Sequence, residues 1–172
     1  MRKITQTFEW NVFADAELPP EDLELRKAAY DAASRAFAPY SAFHVGATVR
    51  LADGTVVTGC NQENVAYPSG LCAERVALFA AGAAHPDVAP AAIAIAAVFR
   101  GQAVDGVSPC GGCRQVMMQC EERYGRPLRT LLCNGNGTVV VPSVHDLMPL
   151  WDAPPLDPLP DGAPDTPQPQ EP

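Results

Sequence analysis

Cys72-Ala73-Glu74-Arg75-Val76-Ala77-Leu78-Phe79-Ala80-Ala81-Gly82-Ala83, followed shortly by Ala91-Ala92-Ile93-Ala94-Ile95-Ala96-Ala97-Val98-Phe99, decides the fold class. The first segment is built of good helix formers. The second is an unbroken apolar run of strand length, the kind that is buried on both faces of a sheet. A helix feeding such a strand belongs to an α/β architecture. Working outward, Phe43 to Leu51 and Val56 to Cys60 read as strands joined at Asp53-Gly54, a dipeptide suited to a hairpin turn. Before them, Pro19-Pro20-Glu21-Asp22 opens a helix whose expected apolar stripe includes Leu23, Ala29, Tyr30, Ala33 and Phe37. That helix must stop before Pro39. Ile4 to Phe13 has the β-rich look of an edge strand. On the other side, Cys110 to Tyr124 is bounded as a helix by Pro109 and Gly125. Arg129 to Cys133 and Thr138 to Val141 read as strands around Asn134-Gly135-Asn136-Gly137. This order fits a three-layer α/β/α sandwich on a mixed sheet.

The chain has 172 residues, 47% hydrophobic and 19% charged, which describes one globular domain with a real core. No apolar run approaches the length of a membrane span, and Met1 to Gln6 has no apolar stretch behind its two basic residues, so a cytoplasmic location is expected. The net charge is −8, and an acidic surface repels phosphate backbones, which disfavours a nucleic acid partner. Arg123, Arg126 and Arg129 form the one local basic cluster, read as a solvated helix end and strand start. Residues 153–172 contain eight of the 18 prolines and four acidic residues with no Lys or Arg. Such a segment has little to bury, and it is read as a disordered acidic tail on a catalytic body of residues 1–152.

The six cysteines carry the chemistry. Without a secretory signal, reduced thiols are expected, and Cys110-Gly-Gly-Cys113 is better used for metal than for a disulfide. Cys72 adds a third thiolate. Three protein ligands leave a zinc ion one open position, the arrangement of a catalytic rather than a structural site. All three cysteines fall at the first turns of expected helices, where the positive end of the macrodipole favours the thiolate. Glu74, two residues after the first ligand, is placed to carry protons. Arg75 is the nearest cation to offset the accumulated negative charge. The competing reading is a structural zinc closed by Cys60, Cys120 or Cys133. Cys120 lies about two helical turns beyond Cys113, roughly 10 Å away by helix rise, too far to share one ion. Cys60 and Cys133 lie in expected strands, where a buried thiol needs no special role.

Four segments resemble the zinc-dependent cytidine deaminase family, in its small homotetrameric branch: Ala38-Pro39-Tyr40-Ser41-Ala42-Phe43-His44-Val45-Gly46-Ala47, Gly59-Cys60-Asn61-Gln62-Glu63-Asn64, Cys72-Ala73-Glu74-Arg75 and Ser108-Pro109-Cys110-Gly111-Gly112-Cys113-Arg114-Gln115. The resemblance implies a sandwich with a five-stranded mixed sheet, one zinc ion per subunit and a homotetramer. It also implies hydrolytic deamination of cytidine and 2′-deoxycytidine to uridine and 2′-deoxyuridine, with release of ammonia, in pyrimidine salvage. By motif, Cys72, Cys110 and Cys113 correspond to the zinc ligands, Glu74 to the proton shuttle and Arg75 to the arginine that bonds the ligand thiolates. Asn61 and Glu63 correspond to the pair that binds the ribose, and Phe43 to the aromatic beside the pyrimidine. Trp151 stands near an aromatic that relatives contribute to a neighbouring subunit's site; a terminal core anchor is the other reading. Deamination of another aminopyrimidine, such as a blasticidin-type nucleoside, and a zinc-stabilised binding module are the rival functions.

Overall fold

The computed structural model describes residue 3 and residues 5–150; the 153–172 tail and Trp151 lie outside the described residues. A mixed sheet is formed by β1 (Asn11–Phe13), β2 (Phe43–Leu51), β3 (Val56–Cys60), β4 (Pro90–Phe99), β5 (Gln102–Ala103), β6 (Arg129–Asn134) and β7 (Gly137–Val141). Its order is β1-β7-β6-β4-β2-β3, with β5 folded back onto β4. Only β4 and β6 run parallel; the other pairs are antiparallel. Helix α1 (Pro20–Ala33) covers one face, and α2 (Ala73–Ala84) and α3 (Gly111–Tyr124) the other, which gives the expected three layers.

The sheet has seven strands rather than the expected five. The additions are the two short ones: β1, three residues from the segment read as an edge strand, pairs with β7, and β5 is a two-residue return at Gly101, where φ is +79°. Edge pairs of two or three residues leave almost no periodic signal in a sequence.

β4 shows why the apolar run has no polar phase. Ile93 and Ile95 join Ala77, Leu78 and Met117 on the α2/α3 face, while Ala92, Ala94 and Ala96 join Leu25 and Ala29 on the α1 face. Each buried isoleucine contributes roughly 1.5–3 kcal/mol by removal from water. The alanines instead permit close approach of α1, and Gly46 does so to the limit. A Cβ there would lie 2.0 Å from the Ala29 carbonyl oxygen. Gly59 does the same on the opposite face, where a Cβ would come within 2.4 Å of the Ala77 nitrogen. These two glycines set the distance of both helices from the sheet.

The inner stripe of α1 differs from the expected one. Its buried residues are Asp22, Leu25, Arg26, Ala29, Ala32 and Ala33, whereas Leu23 and Phe37 are exposed, Phe37 lying beyond the helix end. Large apolar residues drew the sequence reading, but a face packed against Gly46 and alanines has room mainly for small ones. Asp22 is buried there because Arg129 grips it with two nitrogens and Arg50 approaches at 3.4 Å. Arg129 is thereby taken out of the basic cluster.

Candidate functional site

Two helix starts converge on one place. Cys72 is the residue capping α2 and Cys110 the one capping α3; both have extended backbones, and neither side chain spends itself on a capping hydrogen bond. Cys113 follows in the first turn of α3 and is fully buried. Among the described residues these three are the one cysteine, histidine and carboxylate cluster with metal-binding geometry, their sulfurs all lying within 4.8 Å of one another. The Cys110–Cys113 and Cys72–Cys110 sulfur separations are 3.5 and 3.9 Å. Ligand sulfurs about 2.3 Å from a tetrahedral zinc would be about 3.8 Å apart, so the three side chains fit that ion. Cys60, Cys120 and Cys133 stay outside the cluster, as the spacing argument required for Cys120. Cys133 is buried and pushed up to about 11 by that burial, a core thiol rather than a ligand.

The electrostatics favour metal. The Cys72 thiol is pushed down to about 5, first by its hydrogen bond with Cys113 and further by Arg75. Cys113 is pushed up in return by the shared hydrogen bond with Cys72. A cation bound by the three sulfurs would displace their remaining protons. One Arg75 Nη lies 3.7 Å from the Cys72 sulfur and 3.4 Å from the Gly70 carbonyl oxygen, while its buried Nε has no partner. Glu74 is 4% exposed, and burial raises its carboxyl above the ordinary range.

A cavity of about 680 Å³ opens over the cluster, with Cys72, Cys110, Glu74, Arg75, Asn61 and Glu63 in its wall. Phe43, Val104 and Val107 give it an apolar side suited to a flat ring. Phe43 is 37% exposed, so it serves the cavity rather than the core. All eight sequence-selected residues are thus brought together, seven in the wall and Cys113 directly behind it.

The chain between β3 and α2 is fastened by short bridges. Gln62 and Leu71 exchange backbone hydrogen bonds at 2.9 and 3.0 Å, and Phe37 is linked to Asn61 and Glu63 at 3.0 and 2.8 Å. The Asn61 amide extends the β2 pairing: its Oδ1 accepts from the Val45 N–H at 2.7 Å and its Nδ2 donates to the Phe43 carbonyl at 3.0 Å. The Glu63 carboxylate accepts from the Tyr40 and Ser41 amides and from the Ser41 hydroxyl. Those bonds, the Ser41 hydroxyl foremost, hold it below the usual carboxylate range.

Sequence reasoning missed two supports. Asn134 Oδ1 accepts from the Gly106 amide at 2.8 Å and the Val107 amide at 3.3 Å, and Asp105 accepts from the Gly135 amide at 2.8 Å. Together they lock the loop that carries Val104 and Val107. Arg114 bonds the Pro109 carbonyl, the Ser108 hydroxyl and the Leu147 carbonyl, holding the approach to Cys110. An Asn-Gly in a turn signals only the turn, so nothing in the spacing reveals the loop it secures.

Residues 19–124 match the family described as the cytidine and deoxycytidylate deaminase zinc-binding region. The chain is 40% identical over 126 residues to a cytidine deaminase of Halalkalibacterium halodurans, covering 73% of this chain and 89% of that one. It is 44% identical over 95 residues to a cytidine deaminase of Mycobacterium tuberculosis, covering 55% and 68% respectively. The crystal structure of a cytidine deaminase from Burkholderia pseudomallei superposes with a TM-score of 0.61 at 42% identity, covering 73% of this chain and 94% of that one.

Proposed function

This chain belongs to the cytidine and deoxycytidylate deaminase family, and from that membership we infer that it catalyses hydrolytic deamination of cytidine and 2′-deoxycytidine to the uridine forms, with release of ammonia. The observation that carries this reading is the junction of a three-thiol zinc site with a buried glutamate on the wall of a nucleoside-sized cavity. Cys72, Cys110 and Cys113 are the residues that hold zinc. Zinc, when bound, supplies a Lewis-acid position at which water becomes a nucleophile near neutral pH.

The remaining roles fall to the protein. Glu74 takes a proton from the attacking water and delivers it to N3 of the pyrimidine, then takes the remaining proton of the C4 hydroxyl and delivers it to the amino nitrogen, so that the C4–N bond breaks as the C4 carbonyl forms and ammonia leaves. A carboxyl raised by burial suits both halves of that transfer, because it gains and loses a proton closer to neutrality. Arg75 offsets the thiolate charge from beside Cys72. Phe43 packs the ring and, with Val104 and Val107, excludes water from it. Asn61 and Glu63 hold the sugar, the Asn61 amide being aligned by β2 and the Glu63 carboxylate by Tyr40 and Ser41. Residues 1–152 form the catalytic domain on this reading.

A homotetramer in the cytoplasm is part of the same proposal. Tyr67 in the cavity wall, Val65 in the chain between β3 and α2, and Phe79 on α2 are exposed apolar side chains of the sort subunit contacts cover. Among the described residues no helix is long and apolar enough to cross a membrane. The test is an absorbance assay comparing cytidine, free cytosine and blasticidin. Preferential turnover of cytidine supports the proposal, and turnover of free cytosine equal to that of cytidine removes the sugar-binding role. Sedimentation reports the subunit number.

A further inference from the structure

Ser41 does more than any other side chain to organise the sugar side of the cavity. Its hydroxyl donates to one Glu63 oxygen and accepts from the Phe43 amide at 3.0 Å. The other Glu63 oxygen accepts from the Tyr40 amide at 2.8 Å and the Ser41 amide at 3.3 Å. One serine therefore sets both the carboxylate and the start of the strand that carries the Phe43 ring. The turn that presents it is closed by the Ala42 amide donating to the Ala38 carbonyl at 3.0 Å, and Ala42 itself has a φ of +56°. A non-glycine residue in that conformation is held there by its surroundings.

We propose that Ser41 is a positioning residue for substrate selection: it orients the Glu63 carboxylate so that its remaining acceptor capacity meets a hydroxyl of the nucleoside sugar. This rests on the reading of Glu63 as a sugar-binding residue. The physical need is plain. An unrestrained glutamate at an open cavity loses rotamer freedom on binding, and ordering it beforehand saves affinity. An ionised carboxylate has about four acceptor positions, of which the three donors of Tyr40 and Ser41 leave one for a ligand. Because both deoxyribose and ribose substrates retain a 3′-hydroxyl, that is the group the free position suits. Ser41 is exposed and outside the zinc cluster, and Phe43 is held independently by its pairing with Phe99 in β4 and by the Asn61 amide, so loss of the Ser41 hydroxyl falls on the Glu63 carboxylate and the sugar rather than on the ring.

The experiment uses the zinc-loaded full chain with two substrates, cytidine and 2′,3′-dideoxycytidine, which lacks both sugar hydroxyls of the ring. For Ser41→Ala the expected result is a KM for cytidine raised about tenfold with little change in kcat, the signature of lost uniform binding. With 2′,3′-dideoxycytidine the same substitution should leave kcat/KM within about twofold of the parent, and Ser41→Thr, which keeps the hydroxyl, should restore the KM for cytidine. An unchanged KM for cytidine, or an equal loss on both substrates, would overturn the proposal. Glu63→Gln separates the two levels. If it weakens cytidine while Ser41→Ala does not, only the positioning role fails; if it leaves the KM for cytidine untouched, the sugar-binding reading of Glu63 fails with it.

Discussion

Asp22 and Glu74 are both carboxylates hidden from solvent, 1% and 4% exposed, yet they are buried in opposite ways. Asp22 sits by Arg50 near the end of β2 and is gripped by Arg129, so its charge is matched by two guanidinium groups. Glu121, 5% exposed, is likewise filled, by the Leu128 and Val144 amides at 2.6 and 2.8 Å and the Ser143 hydroxyl at 2.9 Å. Glu74 lies by the cavity near the start of β2, enters no ion pair among the described residues, and is left with a raised proton affinity. Burial with partners makes a carboxylate a fastener. Burial without an ion pair, beside a space for substrate, leaves it with the raised proton affinity that the proposed proton transfer needs.

The contrast can be broken at either end. The largest effect is expected at the thiols: Cys72→Ala, Cys110→Ala or Cys113→Ala should each abolish zinc retention and turnover, read by metal analysis and the cytidine assay. A protein that keeps stoichiometric zinc without one of them would reassign the ligand set. Asp22→Ala should cost about 2–3 kcal/mol of stability in denaturant unfolding, because Arg129 and Arg50 lose their buried charged acceptor while their own partial exposure lets water replace some of it, and turnover per folded molecule persists. A selective loss of turnover there would erase the distinction between the two regions. Glu121→Gln is the smaller version, expected to cost about 1–3 kcal/mol, since it unpairs part of a network of amides and a hydroxyl without exposing a strong countercharge.

Gly59→Ala sharpens the account from the side of packing. The new methyl meets α2 backbone at Ala73 and Ala77, on the helix whose first turn carries Glu74. Stability and turnover should therefore fall together, unlike the Asp22 case, and thermal melts beside the activity assay would show it.

The sequence made some levels of this molecule easy to read and others hard. Helix α2 was legible from its run of good helix formers, and α3 because its limits are punctuated, by Pro109 before it and by Gly125 after it with a φ of +59°. β4 was legible because burial on both faces removes every polar residue from Ile93 to Ala97. In the inner stripe of α1, Ala29, Ala33 and Tyr30 were read correctly and Leu23 and Phe37 were not, because the rule that large apolar residues point inward fails where a helix lies against glycine and alanine. β5 escaped, and β1 is shorter than the expected edge strand, because a pair of two or three residues has no period. At the site, cysteine spacing picked out directly the three thiols that the fold brings together, since thiolate chemistry restricts which residues can serve a metal. Glu63 and Asn61 came only through family resemblance, and Asn134, Arg114 and the bonds of Ser41 did not come at all. Those contacts join segments distant in sequence through backbone groups, which every residue possesses and none advertises.

The most direct test of the central claim is the turnover of cytidine per bound zinc in Glu74→Gln. That substitution keeps the shape of the side chain and its place behind the cavity while removing the group that exchanges protons. The expected result is full zinc content with turnover reduced by about 10²–10⁴-fold or more. Normal deamination by a zinc-replete Glu74→Gln protein would contradict the account.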